Sequence, residues 1–160
     1  MSRESTDLLG GELPIEGSFL FEVDGVSIGT FAEVHGLEMH IEVTTYAEGG
    51  ENGYVHQLPG RITWPNIVLR RGVTDSDALF SWVNKTSGSG FAANHNKVTR
   101  NTGAITALGS DGSRLRTWEI QGVMAIRWSG PQFNVVSNQG LTEEIELAHH
   151  GFTSKTFKNK

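Results

Sequence analysis

Glycine is the residue that most constrains the fold of this chain, because 20 of its 160 residues are glycine. Glycine adopts backbone conformations with positive φ that other residues avoid, so it favours tight turns and weakens long helices. The glycines are spread along the whole sequence, and most of the stretches between them are long enough only for short strands. We therefore expect many short strands joined by turns.

The first strands of the chain form a predicted hairpin. Residues 19–23 predict a strand, Asp24-Gly25 predicts a tight turn, and residues 26–34 predict the returning strand with a bulge at Gly29. From residue 103 onward the pattern is again that of strands separated by turns. We therefore expect about eight strands in total.

Two longer strands are predicted in the middle of the chain. Residues 39–46 alternate between apolar and polar side chains, which indicates a strand with one buried face. Residues 61–71 predict a second long strand, interrupted by Pro65. The segment between them, 47–60, is rich in glycine and predicts a long loop of the kind that often carries a function.

One helix is predicted, over residues 75–85. Thr74 is a good N-cap, and Asp75 and Asp77 in the first turn suit the positive end of the helix dipole. Apolar residues recur at helical spacing and predict the face that packs on the core. This stripe consists of Leu79, Trp82 and Val83.

These elements together predict a mainly β fold, a sandwich or barrel of about eight antiparallel strands that carries one helix. The chain shows no internal repeat and no linker, so a single domain is expected at 18–153. A polar, flexible N-terminal arm is expected at 1–17, and a frayed tail at 154–160.

Composition excludes several classes of function. The chain contains no cysteine, which rules out disulfides, thiolate metal sites and a cysteine nucleophile. Its net charge of -5 does not suggest nucleic-acid recognition, which needs clustered lysine and arginine. No apolar run is long enough to cross a bilayer and no secretory signal is recognisable, so we expect synthesis in the cytoplasm and no stable membrane insertion.

The polar side chains do not form a recognisable catalytic or metal site. His149 and His150 are adjacent on a predicted strand and so point to opposite faces, which makes them a poor chelate. Glu144 and Glu146 share the polar face of the same strand, where a solvated or interface role is expected rather than glycoside hydrolysis. The sequence therefore predicts neither an enzyme nor a bound cofactor.

A series of motifs in a fixed order is similar to one known family. The most specific part is Leu58-Pro59-Gly60 followed by Asn66-Ile67-x-Leu69-x-Arg71-Gly72. The other motifs are Phe19-x-Phe21-x-Val23, Ile28-Gly29-x-Phe31-x-Glu33-Val34-x-Gly36-Leu37, Glu42-x-x-x-Tyr46-x-Glu48-Gly49, Trp82, Trp118-Glu119 and Glu144-x-Glu146-Leu147. Over residues 19–150 the chain resembles the tail-tube proteins of contractile phages and the inner-tube proteins of extracellular contractile injection systems.

The resemblance implies a structural role. Members of this family form hexameric rings that stack into a hollow tube inside a sheath, and contraction of the sheath drives the tube through a target envelope. The implied partners are other copies of the chain, a sheath protein, baseplate and terminator or cap proteins, and cargo or DNA that passes through the lumen without sequence-specific binding. The implied location is a phage tail or injection particle, made in a bacterial cytoplasm and in some cases released outside the cell.

A shared barrel would remove the unpaired edges that an open sheet exposes, because six copies could pair their strands across subunits. The strands at 39–46 and 61–71 are the expected lumen wall. The side chains expected to cover the subunit core are Ile41, Val43, Ile67 and Leu69. Those expected to face the lumen are His40, Glu42, Thr44, Asn66 and Arg70.

Two further surfaces are expected to make contacts in the assembly. The loop at 47–60 is expected to reach the adjacent ring, and its candidate contact residues are Glu48, Gly49, Gly50, Glu51, Asn52 and Gly53. The helix is expected on the outside of the tube, where Asp75, Asp77 and Lys85 are candidate sheath contacts.

Two other functions remain open from the sequence. A type VI secretion tube protein would share the fold class and the role, although the motifs between Leu58 and Gly72 fit the phage-like family better. A β-sandwich carbohydrate-binding module would expose a row of aromatic side chains on one face, for which Trp64, Trp118 and Trp128 are the candidates.

Overall fold

The computed structural model of the protein describes residues 17–86, 93, 95, 97, 100–133, 136 and 140–157. Its elements, in chain order, are β1 Phe19–Val23, β2 Val26–Phe31, β3 Glu33–His35, β4 His40–Tyr46, β5 His56–Thr63, β6 Ile67–Gly72, α1 Ala78–Thr86, β7 Asn101–Leu108, β8 Arg114–Ser129, β9 Thr142–Ala148 and β10 Phe152–Thr156. The predicted mainly β fold with one helix between its strands is confirmed.

Two antiparallel sheets share the long strand β8. The first has the order β2-β1-β7-β8, and β10 pairs with the other edge of β8. The second has the order β3-β6-β9-β8 and uses the part of β8 from Met124 to Ser129. Gly122, with φ at 60°, lies between these two parts, and glycine permits the strand to turn there from one sheet into the other. A separate two-stranded hairpin consists of β4 and β5.

The first predicted hairpin is confirmed, together with its bulge. Asp24 and Gly25 join β1 to β2 and both have positive φ, as a type I′ turn requires. The register between the two strands shifts where Phe21 pairs with Gly29 and the next residue pairs with Ser27.

The hydrophobic core lies between the two sheets and under α1. Phe21 is fully buried and meets Phe31 and Trp82 edge-on, at ring-centroid distances of 6.2 Å and 5.6 Å. Each large apolar side chain buried in this way contributes about 1.5–3 kcal/mol to folding. The core residues are Phe21, Val23, Ile28, Phe31, Ile67, Leu69, Leu79, Trp82, Ile105, Ile120, Val123, Ala125, Ile145 and Leu147.

The helix has its predicted inward face but a later start. Leu79 and Trp82 are buried, and Val83 packs against the core. The helix begins at Ala78 rather than at residue 75, so Asp75 and Asp77 precede the first turn instead of lying in it. The reason is local: the hydroxyls of Thr74 and Ser76 each accept a bond from the backbone N–H two residues later, which favours successive turns over a helix.

The predicted second long strand, 61–71, is wrong, because two separate strands occupy it. β5 ends at Thr63 and β6 begins at Ile67. Between them Pro65 has no N–H for a ladder, and its carbonyl oxygen lies 2.8 Å from Nε2 of the buried His149. The segment is therefore anchored to the body and does not continue the strand.

Two other predicted boundaries differ in the structure. The loop expected at 47–60 is shorter, because β5 begins at His56 and contains Pro59 and Gly60. The tail expected to fray from residue 154 is ordered through Thr156, since β10 pairs with β8 over Phe152–Thr156. The N-terminal arm predicted at 1–17 lies outside the described residues except for Gly17, and so do residues 158–160.

Candidate assembly surfaces

The β4–β5 hairpin stands away from the core of its own subunit. Every residue of β4 is exposed, and so is every residue of β5 except His56, which is half-buried. Ile41 pairs with Ile62, and Val43 pairs with Pro59, so these side chains share one face of the hairpin. Ile41 is 46% exposed and Val43 is 55% exposed.

These exposures correct one expectation. Ile41 and Val43 were expected to cover the core of the subunit, whereas Ile67 and Leu69, expected in the same role, are fully buried. The difference arises because Ile67 and Leu69 lie on β6 inside the second sheet, while β4 pairs only with β5 and no other layer packs on it.

The opposite face of the hairpin is mixed in character. His40, Glu42 and Thr44 alternate along β4 and lie on this face, as their spacing predicted. Farther along, Tyr46 and His56 form a cross-strand pair whose rings are stacked with centroids 4.8 Å apart. The predicted lumen residues of β4 therefore lie together, and their role in the lumen remains a prediction.

The tip of the hairpin, residues 47–55, carries all of the loop candidates. Glu48 Oε2 lies 2.9 Å from Nε2 of His56, and Glu51 Oε1 accepts a 2.8 Å hydrogen bond from the backbone N–H of Gly53. A side chain added at Gly49 or Gly50 would meet nothing within 4 Å. The tip thus presents two carboxylates on a backbone with open space around it.

The outer face of the second sheet carries a network of charges. Arg70 Nη2 donates to Glu144 Oε2 at 2.8 Å, and Arg70 Nη1 donates to Glu33 at 3.2 Å. Arg127 donates to both Glu144, at 2.6 Å, and Glu146, at 3.0 Å. Positive and negative groups alternate across three neighbouring strands, so the face is highly charged but locally balanced.

The acidic members of this charge network have lowered pKa values. Hydrogen bonds from Arg70 are the largest cause of the lowered pKa of Glu144, and the charge of Arg127 adds to it. The pKa of Glu146 is lowered first by the hydrogen bond that Asn66 donates at 2.9 Å and then by Arg127. Asn66 and Arg70 therefore lie on one polar face, but on a different element from the hairpin residues with which the sequence grouped them.

The candidate sheath contacts are all exposed. Asp75 and Asp77 precede α1, and Lys85 lies in its last turn. Phe80, 46% exposed, lies on the same helix and contacts the ring of Trp128 edge-on at 5.3 Å. These positions permit a contact with another protein, and their part in binding a sheath remains a prediction.

A buried ion pair escaped the sequence analysis. Arg71 is only 5% exposed, and its Nε donates to Oε1 of Glu143. The guanidinium also lies over the ring of Phe31, 5.1 Å from its centroid. One pattern could have revealed it, since Arg71 has the same parity on β6 as the buried Ile67 and Leu69 and so must point inward.

The three tryptophans proposed for a carbohydrate-binding face do not form an open row. Trp64 packs against His149 and Phe152, with ring centroids 6.0 Å and 5.1 Å away. Trp118 is half-buried against the core, and Trp128 packs against the helix. Each ring has its own neighbours within the fold, so this alternative finds no support.

Within the described parts of the chain, no three histidine, aspartate or glutamate side chains form a group that could hold a metal ion. None of the described helices is long and apolar enough to cross a membrane. His149 instead has a structural role, because its Nδ1 accepts the backbone N–H of Gly151 while Nε2 binds the carbonyl of Pro65.

Comparison with known proteins places these surfaces in context. Residues 16–153 match the family model described as "T4-like virus tail tube protein gp19". No curated protein sequence matches the chain.

Solved structures of tube assemblies have the same fold. A chain of the sheath-tube complex of the extracellular contractile injection system PVC, in its extended state, is 24% identical with a TM-score of 0.74, and the alignment covers 96% of this chain and 100% of that one. A chain of the PVC sheath/tube terminator is 25% identical with a TM-score of 0.73, covering 92% and 99%. A chain of the tube-terminating cap of the anti-feeding prophage is 22% identical with a TM-score of 0.73, covering 98% and 100%.

Proposed function

The chain belongs to the T4-like virus tail tube protein gp19 family, and from that membership we propose that it is the structural inner-tube subunit of a contractile injection system or phage tail. Copies of the chain form hexameric rings, and the rings stack into a hollow tube. The protein acts by its shape and its contacts, not by catalysis.

The observation that carries this proposal is the β4–β5 hairpin. It exposes a row of apolar side chains on one face and has unpaired backbone groups along both outer edges. An isolated two-stranded hairpin is marginal in water, and exposed edges invite pairing with another chain. Other copies of the same chain supply both the apolar cover and the strand partners, as a closed barrel requires.

Two polar surfaces are available to line the lumen of such a tube. One is the hairpin face with His40, Glu42 and Thr44, and the other is the charge network that includes Asn66 and Arg70. A lining whose charges are balanced over short distances offers no large field of one sign to hold DNA or a protein cargo. Cargo therefore passes without sequence-specific binding.

The partners of the tube follow from the assemblies that contain its structural neighbours. Those neighbours come from a sheath-tube complex, a baseplate and a tube-terminating cap. We assign the same classes of partner to this chain: a sheath around the tube, a baseplate at one end and a terminator or cap at the other. The subunit is made in a bacterial cytoplasm and functions in the assembled particle.

Electron microscopy tests the assembly directly. Negative-stain images of the purified protein at increasing concentration are expected to show rings and then hollow tubes. Deletion of Gly49 to Gly53 removes most of the hairpin tip, and the shortened protein is expected to remain folded but to form no tubes, because the tip reaches the adjacent ring.

The matched control is replacement of the same five residues by five serines, which preserves the length of the tip but not its chemistry. Circular dichroism establishes that both variants are folded. Normal tubes from the deletion variant would contradict the inter-ring role of the tip, and a wild-type protein that stays monomeric at every concentration would contradict the proposed function.

A further inference from the structure

A cavity of about 570 Å³ lies at the end of β6 that is farther from the hairpin. Its wall includes the start of the described chain, the end of β2, the end of β6 and the turn between β7 and β8. The lining residues used below are Gly17, Thr30, Phe31, Arg71, Gly109 and Ser110.

The cavity contains a donor without an acceptor. Arg71 lines it and is 95% buried, being 5% exposed, yet its Nη2 nitrogen has no hydrogen-bond partner among the described residues. The Nε nitrogen of the same side chain is already used by Glu143. A buried donor of a charged group that stays unpaired is costly, and a guanidinium prefers a second carboxylate oxygen. The site therefore suits an acidic side chain that enters from outside.

The direction of β6 separates this cavity from the hairpin tip. The hairpin leaves the body just before Ile67, where β6 begins, and the cavity lies beside Arg71 and Gly72, where β6 ends. A six-residue strand is about 20 Å long. The tip of a subunit thus cannot fill the cavity of the same subunit. It can fill the cavity of the next subunit in a stack, because contacts between opposite ends of identical molecules propagate without closing.

One carboxylate at the tip is available for this contact. Glu48 is already engaged by His56, whereas Glu51 has only the backbone N–H of Gly53 in its own turn. Gly50, with φ at 96° and open space around it, keeps the backbone beside Glu51 slim. The tip is acidic and the cavity presents a buried cation, so the two ends are complementary in charge.

We propose that the cavity beside Arg71 receives the Glu51 carboxylate of a subunit in the adjacent ring. This inference rests on the proposed tube function and adds the receptor for the hairpin tip. Each subunit contributes one tip and one cavity, so the contact repeats along the whole tube and fixes the rotation of each ring on the one below.

Cysteine cross-linking tests the pairing, because the chain contains no cysteine of its own. Asn52→Cys places a thiol beside Glu51, and Ser110→Cys places one at the exposed rim of the cavity. Tubes of the double variant, treated with a short bismaleimide, are expected to give a ladder of covalent multimers that extends beyond six subunits. The two single variants are the controls and are expected to give no ladder.

The outcomes of this experiment separate the inference from the proposed function. Tubes that form normally but give no ladder, or a ladder that stops at six, overturn the inference and leave the tube function standing. A cross-link within one subunit between Ser110→Cys and Asp7→Cys, found by mass spectrometry, also overturns it, because the N-terminal segment then occupies the cavity. A wild-type protein that never forms tubes removes the proposed function and the inference together.

Charge removal tests the chemistry of the contact. Glu51→Gln is expected to raise the critical concentration for tube formation by about tenfold or more, whereas the matched control Glu48→Gln is expected to change it by less than about twofold. The double variant R71M/E143Q removes both members of the buried pair, so that neither charge remains buried alone.

The two changes are then combined in one thermodynamic cycle. If Glu51 acts through Arg71, Glu51→Gln has no further effect on the critical concentration in the R71M/E143Q background. An undiminished effect of Glu51→Gln in that background overturns the inference. The thermal unfolding of the unassembled R71M/E143Q protein establishes that its fold is intact.

Discussion

Glycines at the base of the hairpin determine how closely it is joined to the body. Gly36 has φ at 87°, and a Cβ there would collide with the carbonyl oxygen of Asn66. Gly151 has φ at 119°, and a Cβ there would collide with the ring of Trp64. Both contacts hold the short segment between β5 and β6, so the base of the hairpin is fixed even though its strands are exposed.

Replacement of Gly36 by alanine tests this anchor. The left-handed conformation alone costs a residue with a side chain about 1–3 kcal/mol, and the collision with backbone atoms adds to it. We expect Gly36→Ala to lower the free energy of unfolding by at least about 2 kcal/mol, measured by urea denaturation. Gly49→Ala is the matched control, because nothing lies within 4 Å of an added Cβ. Equal stability of the two variants would contradict the role of Gly36.

At the scale of elements, the charge network joins three strands that come from distant parts of the sequence. Arg70 lies on β6, Glu144 and Glu146 lie on β9, and Arg127 lies on β8. The carboxylates in this network have pKa values below the ordinary value of 4.5. A carboxyl group whose pKa is lower in the folded state stabilises the fold above its unfolded pKa, and that contribution disappears as the pH falls through the folded pKa.

The expected outcome is a loss of stability in acid. The free energy of unfolding of the unassembled subunit should decrease as the pH is lowered from about 5 to about 3, in the direction that lowered carboxyl pKa values require. In the E144Q/E146Q variant the decrease should be shallower, since glutamine does not titrate. Urea denaturation at each pH measures both proteins, and parallel curves would show that the network does not contribute.

The helix is the element assigned to the sheath. D75K/D77K reverses two exposed charges that precede α1 and touch no core residue. We expect normal tubes but weakened assembly of the cognate sheath protein around them, followed by cosedimentation of sheath with preformed tubes. The charge-preserving variant D75E/D77E is the control and should bind sheath as the wild-type protein does. Unchanged cosedimentation of D75K/D77K would count against the helix as the sheath contact.

At the scale of the whole molecule, the subunit has two regions of different character. The two sheets and α1 enclose a continuous core and pair their strands within the chain. The β4–β5 hairpin has no layer above or below it and exposes apolar side chains to the outside. One part therefore folds by its own contacts, and the other is completed by neighbouring copies.

The proposed orientation of the subunit in the tube predicts different access to a bulky reagent. Thr44→Cys, on the polar face of the hairpin, should react poorly in assembled tubes with a maleimide attached to a large polymer, because that face lines the lumen. Lys85→Cys, on the helix, should react readily. Thr44 and Lys85 are both exposed in the single subunit, so both variants should react equally before assembly. Equal labelling after assembly would refute the orientation.

Much of this fold follows from local patterns in the sequence. The Asp24-Gly25 turn, the bulge at Gly29 and the inward stripe of α1 were all predicted, because each depends on a few neighbouring residues and on the period of the element. The alternation on β6 also predicted that Ile67 and Leu69 point away from Asn66 and Arg70. The sequence by itself thus determined which residues form elements and which side chains share a face.

Only the tertiary structure decided what each face meets. Ile41 and Ile67 lie on strands with similar patterns, yet one is exposed and the other is buried, because β6 has β9 beside it and β4 has only β5. The pairing of Arg71 with Glu143 joins residues that are 72 positions apart. Alternation fixes the side to which a residue points, but burial, ion pairing and an unfilled cavity depend on elements brought together from afar.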